Sequence, residues 1–231
     1  MQTISANLQA VESRIDAALR AAGRAAGEAR LLAVSKTWPA ASVRAAWAAG
    51  QRAFGENYVQ EAVTKITALA DLEGLEWHFI GPLQSNKTRE VAAHFDWVHS
   101  IDRLRIAQRL SEQRPPGMAA LQVCLQVNVS GEQSKSGVAP GEAMALACQI
   151  AQLPNLRLRG LMAIPEPTDD PLLQRQRFGQ LRALRGEINQ QVGRLRLDTL
   201  SMGMSDDLEA AIAEGSTLVR VGTAIFGARQ K

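Results

Sequence analysis

Apolar residues recur along this chain in two alternating rhythms. Ile4, Leu8, Val11, Ile15 and Leu19 stand three or four residues apart, the spacing of one helix face, and the pattern runs out near Gly27. An opening amphipathic helix over about residues 4–28 is expected. The next run, Leu31-Leu32-Ala33-Val34-Ser35-Lys36, is continuously apolar up to its end, as in a strand buried on both faces. Pro39 suits the first turn of a helix that ends near Gly50. The unit then repeats. Further strands are expected at residues 52–56, 76–80, 97–100, 121–129, 158–164, 197–202 and 217–221. Helices are expected from about Tyr58 to Leu72, from about Asn86, before the Pro115-Pro116 stop and from about Pro140 to Gln152. A long one follows Pro165-Glu166-Pro167, another begins near Ser205, and a short helix or turn lies around Ile225-Phe226.

Eight strand–helix units joined by short turns fit a closed parallel barrel better than an open doubly wound sheet. No Gly-x-Gly-x-x-Gly follows the first strand, which disfavours a dinucleotide-binding sheet. No linker divides the chain. The expectation is a single (β/α)₈ TIM barrel in one domain over residues 1–231, with the barrel at about 31–228 behind the N-terminal helix.

Composition narrows the function. At 46% apolar and 21% charged the 231 residues are not a disordered chain. The 26 basic and 23 acidic residues leave a net charge of +3, and no block of five like charges occurs, so the basic balance marks no nucleic-acid surface. Trp38, Trp47, Trp77 and Trp97 lack the interleaved basic residues of a base-stacking platform and read as packing residues. Cys124 and Cys148 lie in apolar runs and read as reduced core thiols. Glu12, Arg14 and Asp16 interrupt any leader-type apolar stretch, and no run reaches the eighteen residues of a membrane span. A cytoplasmic protein is expected.

In such barrels chemistry sits where strands end. Lys36 is the only lysine that directly ends a strand; partial desolvation there favours the neutral, nucleophilic amine, although apolar runs also stop at solvated charges. The seventh strand ends in Ser201-Met202-Gly203-Met204-Ser205, where Ser205 can cap a helix whose first turn holds Asp206 and Asp207. The eighth ends in Arg220-Val221-Gly222-Thr223, where a missing side chain lets backbone N–H groups approach an anion. Taken singly, each glycine makes a turn and each serine a cap. Together, a lysine facing a phosphate-type site across one mouth suits a ligand carrying both an aldehyde and a phosphate. His78 reads as a core or supporting histidine, and His99 either ends its strand in the core or reaches the mouth. His78, His94 and His99 have no metal-ligand spacing. Lys87 reads as a surface charge; Lys135, in a Gly/Ser loop, is either that or a second aldehyde-reactive amine.

Several segments carry a resemblance. They are Ala33-Val34-Ser35-Lys36, Phe54-Gly55-Glu56-Asn57, residues 77–87 (Trp77 to Lys87), Ser134-Lys135-Ser136-Gly137, Gly160-Leu161-Met162, residues 200–207 (Leu200 to Asp207) and residues 220–227 (Arg220 to Gly227). In this order they resemble the pyridoxal phosphate homeostasis protein family, relatives of the N-terminal barrel of alanine racemase. The resemblance implies that Lys36 forms a Schiff base with pyridoxal 5′-phosphate (PLP) and that Ser201, Gly222 and Thr223 hold its phosphate. It also implies that Arg220 sits near the pyridine nitrogen and that Asn57 and Met202 line the pocket. A guanidinium there opposes ring protonation and weakens the electron sink. Related racemases add a tyrosine base and a C-terminal β domain; here the chain stops after the eighth strand and its one tyrosine, Tyr58, shows no sign of that role. The implied role is a monomeric PLP carrier for vitamin B6 and amino-acid homeostasis, with PLP-dependent apoenzymes as recipients and no strong catalysis. An amino-acid racemase and a Schiff-base aldolase on a phosphorylated sugar are the rival readings.

Overall fold

The structure, a computed structural model, describes residues 3–131, 136–192 and 195–228. Eight strands close into a parallel barrel in chain order: β1 (Arg30–Val34), β2 (Ala53–Glu56), β3 (Glu76–Phe79), β4 (Trp97–Ile101), β5 (Leu121–Gln126), β6 (Leu156–Met162), β7 (Thr199–Ser201) and β8 (Leu218–Val221). Closure is made by β1, which pairs with β2 through Ala33 and Phe54 and with β8 from Arg30–Leu218 to Ala33–Val221. Around the barrel lie α1 (Ile4–Ala21), α2 (Ala40–Ala48), α3 (Val59–Ala68), α4 (Thr88–His94), α5 (Leu104–Gln113), α6 (Pro140–Ile150), α7 (Pro171–Gln191), α8 (Leu208–Ala213) and the single turn α9 (Thr223–Phe226).

Alternation along each strand divides the side chains into two sets. One set, including Ala33, Phe54, Trp77, Phe79, Val98, Leu125, Leu161, Leu200 and Val219, points outward into a continuous apolar layer with the helices. The other points into the lumen, which holds two small apolar clusters, Leu32-Ala53-Ile80-Leu218 and Trp97-Cys124-Met162. Between these clusters stand the buried polar residues His78, His99, Ser201 and Arg220.

Of the boundaries that differ from the sequence expectation, three have a clear local cause. The first helix stops at Ala21, short of 28, because Gly23 takes φ +67° and closes a Schellman motif. In it the Gly23 N–H donates to Arg20 O at 3.1 Å and the Arg24 N–H to Leu19 O at 2.9 Å. β5 ends at Gln126, short of 129, because the chain turns to bridge Val127 with Val138, past a Gly137 at φ +126°. α8 starts at Leu208, and Ser205 does not cap it. The Asp207 carboxylate instead accepts the Met204 N–H at 2.6 Å, a local bond that competes with helix and leaves residues 204–207 as a loop over the barrel end.

Candidate functional site

The C-terminal ends of the strands surround a cavity of about 560 Å³. Lys36 lies on its wall, just past β1, in a turn closed by the Trp38 N–H donating to Ser35 O at 3.0 Å. Thr37 takes φ +68° in this turn, a conformation that costs a β-branched residue strain and needs support from its surroundings. The support is a buried charge cluster. Glu61 accepts the Thr37 N–H at 2.6 Å, and the Lys65 ammonium donates to Ser35 O at 2.7 Å while contacting Glu56 at 2.7 Å and Glu61 at 2.6 Å. Glu56 also accepts the Ser35 hydroxyl at 2.6 Å. Burial raises the Glu56 carboxyl above its ordinary range, with Lys65 opposing the shift.

Asn57 follows β2 onto the same wall, and its Oδ1 is buried without a protein partner. Its backbone is crowded against Gly81, where a Cβ would stand 2.5 Å from Asn57 O and 2.8 Å from its Cα. Beside Lys36, Gly222 lets the end of β8 press against β1: a Cβ there would lie 3.0 Å from Val34 O. Thr223 and Ala224 open α9, so their N–H groups have no intrahelical acceptor, and they line the cavity with the nearby Ser205. Gly203, at φ +93°, makes the loop's sharp turn; a Cβ there would meet Ala211 Cβ at 2.5 Å.

Arg220 closes the cavity from beneath. Its Nη1 donates to Ser201 O at 2.6 Å and to Ser201 Oγ at 2.8 Å, and its Nη2 to Ala163 O at 2.9 Å. Burial pushes the guanidinium down to about 10, with Asp207 and Cys124 pulling it back up, so it stays cationic at neutral pH.

Of the seven residues the resemblance singles out, Lys36, Asn57, Arg220, Gly222 and Thr223 line this cavity. Ser201 and Met202 are fully buried and do not. The Ser201 side chain points into the lumen one level below the mouth, where its hydroxyl is taken by Arg220 and His99; Met202 packs in the outer apolar layer. Ser205 and Met204 stand at the cavity instead. His99 is wholly buried below the mouth. Lys135 and Lys231 lie outside the described residues. Lys87 contacts Glu90 at 3.3 Å, and Tyr58 is 55% exposed off the cavity wall. Trp38, stacked on Phe226 at 6.0 Å, is a cavity residue that sequence reading assigned to packing. Lys65 was visible as a lysine in the buried stripe Val59-Ala62-Lys65-Leu69, a signal that something inside must pair with it.

The site is thus a parallel barrel whose C-terminal mouth holds an amine on its wall and a guanidinium beneath it. The family model for the alanine racemase N-terminal domain matches residues 6–230. A pyridoxal phosphate homeostasis protein of Pseudomonas aeruginosa is 65% identical over 229 residues, covering 99% of this chain and 97% of the relative. One of Vibrio cholerae is 56% identical over 232 residues, covering 99% and 98%. The solved structure of PipY from Synechococcus elongatus with PLP bound superposes with a TM-score of 0.82 at 42% identity, over 94% of this chain and all of that one. The chain belongs to the alanine racemase N-terminal domain family and, within it, to the pyridoxal phosphate homeostasis proteins.

Proposed function

We propose that the mouth binds PLP, with Lys36 as the covalent anchor, and that the protein holds and releases this aldehyde without turning over an amino acid. The observation that carries the reading is the convergence on one cavity of a primary amine, a guanidinium and a buried acceptor, Asn57 Oδ1, that lacks a protein partner. PLP bound in PipY and the names of the relatives support it.

The donor set suits a phosphorylated aromatic aldehyde. Ser205, Thr223 and the first N–H groups of α9 offer directed donors for a phosphate, in the place the resemblance gave to Ser201 with Gly222 and Thr223. Asn57 Oδ1 offers an acceptor for a ring hydroxyl. PLP would supply a carbonyl able to condense with a primary amine with loss of water, and Lys36 is the residue that would hold it. The Thr37 turn, braced by Lys65 and Glu61, orients Lys36 for this. Arg220, which the resemblance puts near the ring nitrogen, would oppose that nitrogen's protonation by like charge and so weaken the electron sink that racemisation or decarboxylation needs. We take the monomer as the working form, PLP-dependent apoenzymes as recipients and the cytoplasm as the compartment, which two unpaired thiols suit. No helix among the described residues is long and apolar enough to cross a membrane.

The absorption spectrum of the protein with PLP, before and after borohydride, tests the anchor. A yellow band that borohydride fixes on the peptide bearing Lys36, and that Lys36→Ala abolishes in folded protein, is the expected result; an unchanged band in Lys36→Ala overturns it. Loss of optical rotation from alanine or serine at about 1 s⁻¹ or faster would overturn the carrier role in favour of a racemase.

A further inference from the structure

A series of polar side chains runs down the barrel axis beneath Arg220, and no role at the mouth accounts for it. Ser201 Oγ lies 2.8 Å from Arg220 Nη1 and 2.8 Å from His99 Nδ1; His99 Nε2 lies 2.9 Å from His78 Nδ1. His78 Nε2 stands 3.3 Å from Glu76 Oε1, too poorly aligned for a full hydrogen bond. His78, His99 and Ser201 are at most 1% exposed. Trp97 stacks on the His78 ring, centroids 5.3 Å apart and planes 10° apart, which fixes the ring's plane. His78 and Trp97 line a second cavity, of about 280 Å³, at the opposite end of the barrel with Arg30, Arg159 and Asp198.

An inventory of hydrogens gives the series a direction. Arginine only donates, so Ser201 Oγ accepts from Arg220; among the described residues His99 Nδ1 is the one acceptor its own hydrogen meets, so that hydrogen goes to His99 Nδ1. His99 therefore carries its hydrogen on Nε2 and donates it to His78 Nδ1. The His78 hydrogen is left on Nε2, directed at Glu76 and the floor cavity. Every bond points from mouth to floor. The rings must be neutral for this. Burial holds His78 below its ordinary value, with Arg30 also lowering it and Glu76 and Asp96 opposing; His99 is held well below by burial, then by His78 and Arg220. A proton on His99 Nδ1 would leave the Ser201 hydroxyl hydrogen without its acceptor, and a doubly protonated ring would add a second cation to the same dry space.

We propose that Ser201 and His99 are positioning residues for Arg220, and that with His78 they form a one-directional hydrogen-bond series fixing the guanidinium from the barrel floor. Ser201 O, Ser201 Oγ and Ala163 O take three of the five guanidinium hydrogens, which leaves the Nε hydrogen and one on Nη2 for a ligand in the mouth. The consequence for PLP rests on the reading of the mouth given above; the series itself does not.

Long-range ¹H–¹⁵N NMR on ¹⁵N-histidine-labelled, cofactor-free protein tests the series. His78 and His99 are both expected as neutral Nε2–H tautomers between about pH 6 and 8; an Nδ1–H tautomer or a protonated ring at either position overturns it. PLP binding to Ser201→Ala and His99→Gln tests the positioning. In either variant PLP is expected to dissociate about tenfold faster, with a displaced absorption maximum, while borohydride still traps it on Lys36. His99→Gln gives the answer if Ser201→Ala does not fold. Wild-type dissociation and an unmoved maximum in the folded variants overturn the positioning role. A wild-type protein that shows no band with PLP would sink the reading of the mouth, and the tautomers would still decide the series.

Discussion

Lys65→Met removes the cation that reaches Glu56 at 2.7 Å, Glu61 at 2.6 Å and Ser35 O at 2.7 Å, and puts apolar atoms of similar volume in its place. Glu56 is fully buried and keeps only the Ser35 hydroxyl, since its second oxygen has no protein partner. Removing one member of a buried pair costs about 3–5 kcal/mol, against typical domain stabilities of about 5–15 kcal/mol. The pH dependence has a definite sign. Burial already raises the Glu56 carboxyl above its ordinary 4.5 against the pull of Lys65, and without Lys65 it rises further. A carboxyl whose folded value is raised binds its proton more tightly in the folded state. Its penalty is absent below the unfolded value, grows as pH climbs from there to the folded value and is complete above it. Lys65→Met is thus expected to lie near wild type in acid and to lose most at neutral pH and above. Urea denaturation at about pH 4.5, 6 and 7.5 reads this directly. The double variant Lys65→Met/Glu56→Gln, with no stranded charge on Glu56, is expected to recover about 2 kcal/mol or more at neutral pH. A loss below about 1 kcal/mol, or one indifferent to pH, would refute the reasoning.

Gly81→Ala drives a methyl to 2.5 Å from the Asn57 carbonyl oxygen and is expected to cost about 2 kcal/mol or more by thermal unfolding and to loosen PLP binding; an unchanged melting temperature would show that the strand ends can part freely. Ser205→Ala is expected to leave stability within about 0.5 kcal/mol and to weaken PLP about tenfold in equilibrium dialysis; unaltered affinity would return the phosphate to other donors. The Cys124 thiol is pushed up to about 12, mainly by burial, so an aromatic disulfide reagent should label Cys148 first and Cys124 only on unfolding. Equal rates in the native protein would contradict that burial.

The alternation of strands and helices was legible because the strand runs are continuous in apolar residues and the helix runs periodic. What was not legible depends on partners distant in the chain. Gly23 and Gly27 are equally good stops for the first helix. The choice of Gly23 is secured by Arg24, whose side chain donates to Ile212 O at 2.9 Å and Ser216 O at 2.8 Å, nearly two hundred residues away. Ser201 and Ser205 are four residues apart in one motif, and the sequence alone does not say which of the two faces the cavity. The strand stops at Ser201 with the side chain inward, so the mouth lies further on, at Ser205. His78 and His99 could each be assigned to the lumen by strand phase, but their contact requires the β3–β4 register that pairs His78 with Trp97. Lys36, Arg220 and Gly222 were readable because a charge or a glycine ending an apolar strand is conspicuous in sequence.

A protein that carries an aldehyde is itself the first molecule that aldehyde meets, and every accessible primary amine is a target. Lys65, only 6% exposed and sealed beneath Glu56, Glu61 and the Ser35 carbonyl, is withdrawn from that chemistry. Over the whole chain the positive charge is carried on 21 arginines against five lysines. A guanidinium remains protonated at physiological pH and forms no Schiff base with a simple aldehyde. Basicity is thus delivered in a form that free carbonyls do not consume. Brief exposure to excess aldehyde followed by reduction leaves few places for an adduct, and self-damage is limited by the same scarcity that makes one amine at a strand end stand out.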